Sequence, residues 1–317
     1  MTNNIDKISL LEDRVTKFGG TVFPKFGWCC ILAGGAGSGK GYNFTHYVPI
    51  EGRRFDPDRV KELTINKLRV VDTDMDAKLV YTDGNGEEQS IDLDAAGVKP
   101  PYNTTNPQYT GLLHTIARPL TKKLKNLIFK GTGASRDRLP NVIFDCTMSD
   151  IGDYEVIIPQ MKSLGYKIAV VYVFTKIDVA IAQNKERGSK TSVDKSGKPK
   201  YGRRVDYKTL LDTHDGFYKT LAQLARRPDI IKEIDDIWAI ISSRFSQPQI
   251  ISIKEGDKLD FSNVNDFLMS NSEEIAKLQR EYDFSGEDND FYNEGQIVIG
   301  AYDLYEALNE LKDIEEE

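Results

Sequence analysis

Short apolar runs recur along the chain and alternate with segments that have the spacing of helices. Four such runs are WCCILA at 28–33, NVIFDC at 141–146, KIAVVYVF at 167–174 and DIWAII at 236–241. The helical segments are PQYTGLLHTIARPLTKKLKNLIF, DYEVIIPQMKSLG, DVAIAQNKERG and DYKTLLDTHDGFYKTLAQLARR, and a short leading helix is expected over residues 5–17. Runs without polar alternation are typical of buried parallel strands. The pattern therefore predicts an α/β fold of three layers, with a central parallel sheet and helices on both of its faces.

Three segments depart from this alternation. Residues 68–106 are acidic and rich in turns, and KLVYT and QSIDL on either side of DGNG are expected to pair as a hairpin in an insertion after the second strand. Residues 188–204 are basic, polar and glycine-containing, which predicts a mobile loop that acts as a lid. We therefore predict a main domain over residues 1–254 and a mostly helical, acidic extension over residues 255–317.

Charge and composition limit the kinds of partner. The chain has 317 residues, with 42 Lys and Arg against 49 Asp and Glu, so its net charge of -7 gives no overall field that attracts nucleic acid. A local basic patch still permits nucleic-acid binding. No apolar run approaches the roughly 20 residues of a membrane-spanning helix, and three cysteines make no disulfide framework. We expect a cytoplasmic protein without a membrane partner.

A glycine-rich segment carries the clearest chemical signal. Residues 34–40, GGAGSGK, match the pattern G-x-x-x-x-G-K between an apolar strand and a helix. In such a loop, successive backbone N–H groups surround phosphate oxygens and the lysine reaches the β- and γ-phosphates of ATP. The alternative is a glycine-rich turn with a chance lysine. The predicted nucleotide-binding residues are Gly34, Gly35, Ala36, Gly37, Ser38, Gly39, Lys40, Gly41 and Tyr42.

The expected magnesium position is less regular. Gly41 stands where the pattern usually has Ser or Thr, whose hydroxyl binds Mg²⁺. Asp145 ends an apolar strand and is the candidate for the magnesium shell, although it equally suits a cap on the next helix. Cys146 follows where motor ATPases commonly have a water-activating Glu. Its identity argues against a motor or hydrolase and favours transfer of phosphate to a bound acceptor.

Transfer to a hydroxyl needs a base and a group that stabilises the moving phosphoryl. Asp56 and Asp58 in FDPDR offer carboxylates near the end of the second strand, and the alternative is that one of them caps the helix that follows. Arg187, Arg203 and Arg204 flank the basic segment, where a guanidinium donates paired N–H groups to phosphoryl oxygens. The alternative for these arginines is a solvated basic loop.

The order and spacing of five segments resemble the zeta-toxin-like P-loop kinases, in particular their phage-encoded branch. These segments are GGAGSGKG, FDPDRVK, NVIFDCT, YVFTKIDVAIAQNKERG and the downstream arginine pair, so the resemblance covers roughly residues 28–226. It implies a P-loop kinase-like fold that uses ATP and Mg²⁺. Its toxin members phosphorylate the 3′-hydroxyl of UDP-activated amino sugars.

The resemblance also implies roles for individual residues. It assigns the P-loop lysine to Lys40, the catalytic aspartate to Asp58, the first lid arginine to Arg187, the second to Arg203 or Arg204, and a third-strand acid to Asp145. Gly41 departs from the toxins' Thr. The insertion lies where acceptor-binding elements belong, so the acceptor does not carry over from the family.

These observations predict an ATP-dependent kinase. Its expected acceptor is a hydroxyl of a small molecule or nucleotide, namely a nucleotide-linked sugar or a nucleotide, or of a nucleic acid. The main alternative is a non-catalytic nucleotide-binding phage protein with a structural or host-interaction role, which Gly41 favours and Asp58 disfavours. The expected location is the cytoplasm of a bacterial or phage-infected bacterial cell, and the sequence leaves any antitoxin-like partner open.

Overall fold

A computed structural model describes ten stretches of the chain. They are residues 16–18, 21–23, 26–48, 52–55, 68–72, 76–83, 86–130, 139–193, 199–242 and 247–284. The chain forms two compact units, the first from residues 1–55, 131–180 and 208–317 and the second from residues 56–130 and 181–207. Asp56 and Asp58 lie outside the described residues.

Strands and helices alternate over much of the described chain. The strands are β1 (Thr16–Phe18), β2 (Thr21–Phe23), β3 (Trp28–Ala33), β4 (Arg53–Phe55), β5 (Arg69–Asp72), β6 (Ala77–Thr82), β7 (Glu88–Asp92), β8 (Val142–Asp145), β9 (Lys167–Thr175), β10 (Thr191–Val193), β11 (Pro199–Tyr201), β12 (Asp236–Ser242), β13 (Gln249–Ser252), β14 (Lys254–Glu255) and β15 (Lys258–Leu259). The helices are α1 (Lys40–Tyr47), α2 (Pro107–Phe129), α3 (Ile151–Ser163), α4 (Ile177–Ser189), α5 (Tyr207–Ala225), α6 (Pro228–Ile231) and α7 (Asn265–Phe284). Within these ranges, no helix is long and apolar enough to span a bilayer.

A six-stranded sheet forms the centre of the first unit. Its strand order is β13-β12-β9-β3-β8-β4, and every neighbouring pair is parallel except β12 and β13. The central strand β3 is buried along its whole length, as expected for a parallel strand covered on both faces. The strands β8 and β9 follow β3 in sequence but lie on opposite sides of it. The carboxyl end of β3 is therefore a topological switch point, where α/β proteins bind ligands. This architecture confirms the predicted α/β fold.

Apolar side chains on both faces of the sheet form the core of the first unit. On one face, Trp28, Cys30, Leu32, Phe44, Val48, Ile143, Ala169, Val171, Val173, Trp238 and Ile240 form one cluster. On strand β9, Tyr172 and Phe174 stack on each other and pack against Phe217 of helix α5. Burial raises the pKa of the Cys30 thiol to about 12, so this cysteine behaves as an apolar core residue.

The segment beyond residue 255 contributes to the first unit. Asn271 of helix α7 is buried, and its amide donates to the carbonyl of Thr175 and to the hydroxyl of Tyr218. Its side-chain oxygen accepts from the backbone of Ile177, the first residue of α4. Residues 255–284, which the sequence assigns to an extension, therefore stabilise the end of the central strand β9.

The second unit contains a three-stranded sheet in the order β5-β6-β7. Strands β6 and β7 pair antiparallel, which confirms the hairpin predicted around DGNG. Residues Ala77, Leu79, Leu93, Val98, Tyr109 and Leu113 form its buried cluster. Helix α2 begins where the side chain of Asn106 accepts from the backbone of Gln108, an N-terminal cap that fixes the start of the helix.

Two local predictions differ from the structure. The leading helix is predicted for residues 5–17, and the end of this range overlaps strand β1. Thr16 and Lys17 are in a strand and not in a helix, because they pair with β2. The rest of that helix lies outside the described residues. The segment 188–204, predicted as a loop, contains β10 and β11, which pair antiparallel. Short strands of this kind form because they pair with a neighbouring strand, so the pattern of polar and apolar residues within the strand itself does not predict them.

Candidate phosphate-binding site

The glycine-rich loop joins the carboxyl end of β3 to the first turn of α1. Gly37 and Gly39 have φ angles of 73° and 77°, a left-handed conformation that residues with a Cβ adopt at a cost. Gly39 is the N-cap of α1 and offers no side chain to its free N–H groups. These N–H groups and the positive end of the helix are thus available to an anion.

The loop packs so closely against its surroundings that side chains are excluded at several positions. A Cβ on Gly34 would lie 2.8 Å from the carbonyl oxygen of Val173 in β9. A Cβ on Gly35 would lie 2.4 Å from the ring of His214. The glycines are required by packing as well as by backbone conformation.

Hydrogen bonds from two elements fix the loop. The hydroxyl of Thr213 accepts from the backbone of Ala36 at 3.1 Å, and His214 Nε2 donates to the carbonyl of Ala36 at 2.8 Å. The hydroxyl of Thr175 donates to the carbonyl of Ser38 at 2.8 Å. The hydroxyl of Ser38 is buried without a hydrogen-bond partner among the described residues. Helix α5 and strand β9 therefore hold the loop in shape before any ligand binds.

Lys40 is the first residue of α1, and its ammonium lies over the loop. Its Nζ donates to the carbonyls of Gly34 at 2.6 Å and Gly35 at 3.1 Å. These bonds hold the charge at the place where the sequence predicts phosphate. A hydrogen bond from the Lys40 ammonium to a charged phosphate oxygen is stronger than one to a neutral carbonyl.

The next two residues of α1 differ in what they present. Gly41 offers no hydroxyl, and a Cβ added there would lie 3.5 Å from the guanidinium of Arg54, an ordinary contact distance. Tyr42 is 60% exposed and stacks on His46 with 4.0 Å between ring centroids. Position 41 therefore has room for a side chain, and Tyr42 leaves much of its ring open to a ligand.

Asp145 ends strand β8 in register with Leu32 of β3. Its carboxylate forms an ion pair with Arg54, whose guanidinium lies 5.4 Å from the ring centroid of Phe44 in α1. Helix α3 is capped by Asp150, so the alternative interpretation of Asp145 as a helix cap is wrong. Arg54 links the acid to the helix that follows the loop.

The residues around the loop offer few ligands to a metal ion. The described part of the chain holds no group of three or more His, Cys, Asp or Glu that suits a metal. Mg²⁺ in nucleotide sites is usually held by one or two carboxylates, substrate phosphates and water. The single carboxylate of Asp145 fits that arrangement, with the nucleotide supplying most of the oxygens.

The predicted arginines belong to the second unit. The backbone of Arg204 donates to the carbonyl of Thr104 at 3.1 Å, and a Cβ on Gly188 would lie 2.8 Å from Cβ of Arg204. The residue after Arg187 is therefore in close contact with Arg204. Arg187 and Arg204 are exposed and Arg203 is half-buried.

The sequence did not reveal the residues that contact the loop or the helix after it from distant positions in the chain. Thr213 and His214 belong to an amphipathic helix, Thr175 to a buried strand and Arg54 to a short edge strand. Each of these residues has an ordinary place in the local pattern of its element. Only the fold brings them to the loop.

His214 gives the loop a pH-dependent support. Burial lowers the pKa of His214 from 6.5 to about 4, and the charge of Lys40 lowers it as well, whereas the hydrogen bond to Ala36 acts in the opposite direction. The folded protein therefore binds fewer protons than the unfolded chain between these values, and stability is lost as the pH falls below 6.5. Between pH 7.5 and pH 5, we expect His214 to account for a loss of about 2 kcal/mol in the free energy of unfolding. Urea unfolding at pH 7.5 and at pH 5 measures this difference in the free energy of unfolding.

The matched variant for this measurement is His214→Gln. Glutamine keeps an N–H donor for the carbonyl of Ala36 but has no proton to gain in this range. The wild type should lose more stability than the variant over the same pH interval. Equal losses in the two proteins would show that His214 does not titrate with a lowered pKa.

Parts of the chain are similar to known proteins. Residues 134–245 match the Zeta toxin family. A solved complex of AvrRxo1-ORF1 with AvrRxo1-ORF2 is 12% identical, with 89% of this chain and 75% of that chain covered and a TM-score of 0.53. The structure of the same pair with ATP is 11% identical, with 89% of this chain and 76% of that chain covered and a TM-score of 0.48. The PezAT toxin–antitoxin system of Streptococcus pneumoniae is 12% identical, with 100% of this chain and 98% of that chain covered and a TM-score of 0.41. No curated protein sequence matched.

These results bear on different parts of the chain. The likeness to AvrRxo1-ORF1:AvrRxo1-ORF2 shows the fold alone, because the sequences are only 12% identical. The family match begins after the glycine-rich loop and covers strands β8 to β12 and helices α3 to α6. The glycine-rich loop at residues 34–40 lies outside this match, so its interpretation as a phosphate-binding element depends on this chain's own sequence. Residues 134–245 are therefore the part of this chain that is similar to the Zeta toxin family.

Proposed function

We propose that this protein is an ATP-dependent kinase that transfers the γ-phosphoryl group to a hydroxyl of a nucleotide-sugar, nucleotide or nucleic-acid acceptor. The observation that carries the proposal is the geometry of Lys40. Its ammonium lies on the glycine-rich loop at the carboxyl end of β3, bonded to the carbonyls of Gly34 and Gly35. A P-loop kinase places the phosphates of ATP at this position.

The chain's own groups account for ATP binding. The backbone N–H groups of the loop and the first turn of α1 bind phosphate oxygens, and Lys40 neutralises charge on the β- and γ-phosphates. The bonds from Thr213 and His214 to Ala36 keep the loop in shape, so little entropy is lost when phosphate binds. The exposed ring of Tyr42 suits contact with the nucleoside part.

The transfer itself is assigned to residues that the family resemblance indicates. Asp58 accepts the proton of the acceptor hydroxyl, and Arg187 with Arg203 or Arg204 stabilises charge on the transferred phosphoryl. Asp145 is the residue that would hold Mg²⁺, which when bound withdraws charge from the phosphate oxygens. In the structure this carboxylate is paired with Arg54.

A second candidate function is nucleotide binding without transfer. Two observations favour it: Gly41 lacks the hydroxyl that usually binds magnesium, and the carboxylate of Asp145 is already paired with Arg54. A binding protein keeps the requirement for Lys40 but has no use for Asp58. The two functions are therefore distinguished by transfer and not by affinity for ATP.

The experiment that tests the proposal measures transfer of labelled γ-phosphate. The purified protein is incubated with ATP and Mg²⁺, alone and with UDP-sugars, nucleosides or DNA and RNA ends, and the products are separated by chromatography. A labelled acceptor supports the kinase. Tight ATP binding without transfer to any acceptor supports the binding protein instead.

Gly41→Ser should strengthen binding of magnesium-bound ATP. The position has space for the side chain, and the new hydroxyl offers the ligand that the loop lacks. A hydrogen-bond-sized gain of about 1 kcal/mol corresponds to roughly fivefold tighter binding. Calorimetry with ATP, in the presence of Mg²⁺ and then of EDTA, measures this difference.

Gly41→Ala is the control for this gain. Alanine adds the same Cβ and prefers helix at least as strongly as serine, but it has no hydroxyl. The improvement should be present in the serine variant with Mg²⁺ and absent both with EDTA and in the alanine variant. Equal gains in serine and alanine variants would show that helix stabilisation, not metal binding, is the cause.

A further inference from the structure

The second unit contains a cavity of about 680 Å³ whose charged lining residues are all positive. Three cationic side chains line it, Lys99, Lys185 and Arg204, and none of its twelve described lining residues is Asp or Glu. Small-molecule sites in proteins commonly have volumes of about 300–1,000 Å³. The cavity thus has the size of a ligand site and a positive interior.

Hydrogen bonds in the surrounding backbone fix the walls that carry these cations. The side-chain amide of Asn106 donates to the carbonyl of Lys99, while its oxygen caps helix α2 by accepting from Gln108 at 2.9 Å. The backbone of Arg204 is held by Thr104, so its side chain starts from a fixed point. The cavity is built by contacts between segments that are distant in the sequence.

The electrostatics of the cavity select for an anion. The N-terminus of the 23-residue helix α2 lies at the wall, since Asn106, Pro107 and Gln108 all line it, and adds positive potential to the three cations. Glu186 follows Lys185 in the chain, but its carboxylate pairs with Lys190 at 3.0 Å. Several positive charges around one space stabilise a multiply charged group such as phosphate.

The cavity also has an apolar part. Pro100 and Pro101 lie side by side in its wall, and Pro107 lines it too. Rigid rings of this kind suit the flat surface of a base or the face of a sugar. The wall thus combines a site for phosphate with a surface for an organic ring.

We propose that this cavity binds a phosphorylated small molecule of about the size of a mononucleotide. The phosphate group lies among Lys99, Lys185 and Arg204, and the organic part lies against Pro100 and Pro101. With Arg204 at this cavity, Arg203 is left as the second arginine of the proposed transfer. This site is additional to the glycine-rich loop, and none of the loop residues lines it.

Covalent labelling of lysines tests the site without relying on the loop. The full-length Lys40→Ala protein is labelled with an amine-reactive reagent in the presence of uridine 5′-monophosphate or uridine, and the modified lysines are quantified by mass spectrometry. We expect the monophosphate to protect Lys99 and Lys185 at least threefold, with Lys122 and Lys123 on the exposed part of α2 unprotected. Uridine should protect none of them. Equal labelling with and without the monophosphate, or equal protection by uridine, overturns the proposal.

Calorimetry on charge variants gives an independent measurement. In the Lys40→Ala background, the double variant Lys99→Ala, Lys185→Ala should bind uridine 5′-monophosphate at least tenfold more weakly. The matched double variant Lys122→Ala, Lys123→Ala removes the same charge from the same unit and should bind as its parent does. An unchanged affinity in the first variant, or the same loss in both, contradicts the site. A failure of ATP transfer leaves both measurements intact, so it is distinguished from a failure of this inference.

Discussion

Replacing Lys40 with alanine is expected to weaken ATP binding by at least tenfold. The ammonium of Lys40 is held over the loop by the carbonyls of Gly34 and Gly35. Under the proposed function, the phosphates of the nucleotide bind there. A contact between a lysine and phosphate contributes about 1.5–3 kcal/mol, which corresponds to roughly a 10- to 100-fold change in affinity. Titration calorimetry with a non-hydrolysable ATP analogue measures the change.

Two further variants separate the charge of Lys40 from its other contacts. Lys40→Met keeps much of the apolar stem but lacks the ammonium, so it should lose as much affinity as the alanine variant. Lys232→Ala removes an exposed lysine from the same unit and should leave ATP binding as it is. Full affinity in Lys40→Met would show that the ammonium does not contact phosphate and would remove the main support for the phosphate-binding loop.

The parts of this protein that could be predicted from sequence are those that a few adjacent residues specify. The loop at 34–40 is contiguous, and its glycines are needed by backbone conformation, which is a local property. Strands such as β3 and β9 are recognisable because both faces are buried, so no polar alternation interrupts them. The hairpin of β6 and β7 follows from a turn sequence between two alternating segments.

The supports of the loop could not be predicted, because each joins residues far apart in the chain. Arg54 and Asp145 are separated by 91 residues, and Ala36 and His214 by 178. Asn271 looks like one polar residue in an acidic helix, yet it is buried and bonded to the end of β9. Such contacts depend on the order of strands in the sheet, which local periodicity does not contain.

The same reasoning explains the two local predictions that were wrong. Residues 16–18 have helical spacing in the sequence, but pairing with β2 overrides that weak preference. The basic segment 188–204 lacks apolar anchors, so it predicts a loop, whereas cross-strand pairing of β10 with β11 organises part of it. In both places, short antiparallel pairing outweighs local propensity.

Asp58→Asn is expected to abolish most transfer while leaving ATP binding near normal. Under the proposed function, Asp58 takes the proton of the acceptor hydroxyl, and ATP is held by the loop and Lys40. Asparagine has nearly the same size but cannot accept the proton. The loss of a general base typically lowers the rate by about 10²- to 10⁴-fold. Transfer of labelled phosphate to the acceptor and calorimetry with an ATP analogue, measured on the same protein, give the two quantities.

The matched control for Asp58 is its neighbour Asp56, two residues earlier in FDPDR. If the only task of either carboxylate is to cap a helix, asparagine replaces it with little cost, because asparagine caps about as well as aspartate. Asp56→Asn should therefore keep full transfer, whereas Asp58→Asn should lose it. Equal activity in both variants would end the assignment of Asp58 as the base, since a cap is insensitive to this change and a proton acceptor is not. A loss confined to Asp58→Asn, at unchanged ATP affinity, separates a kinase from a protein that only binds the nucleotide, because binding alone does not require a base.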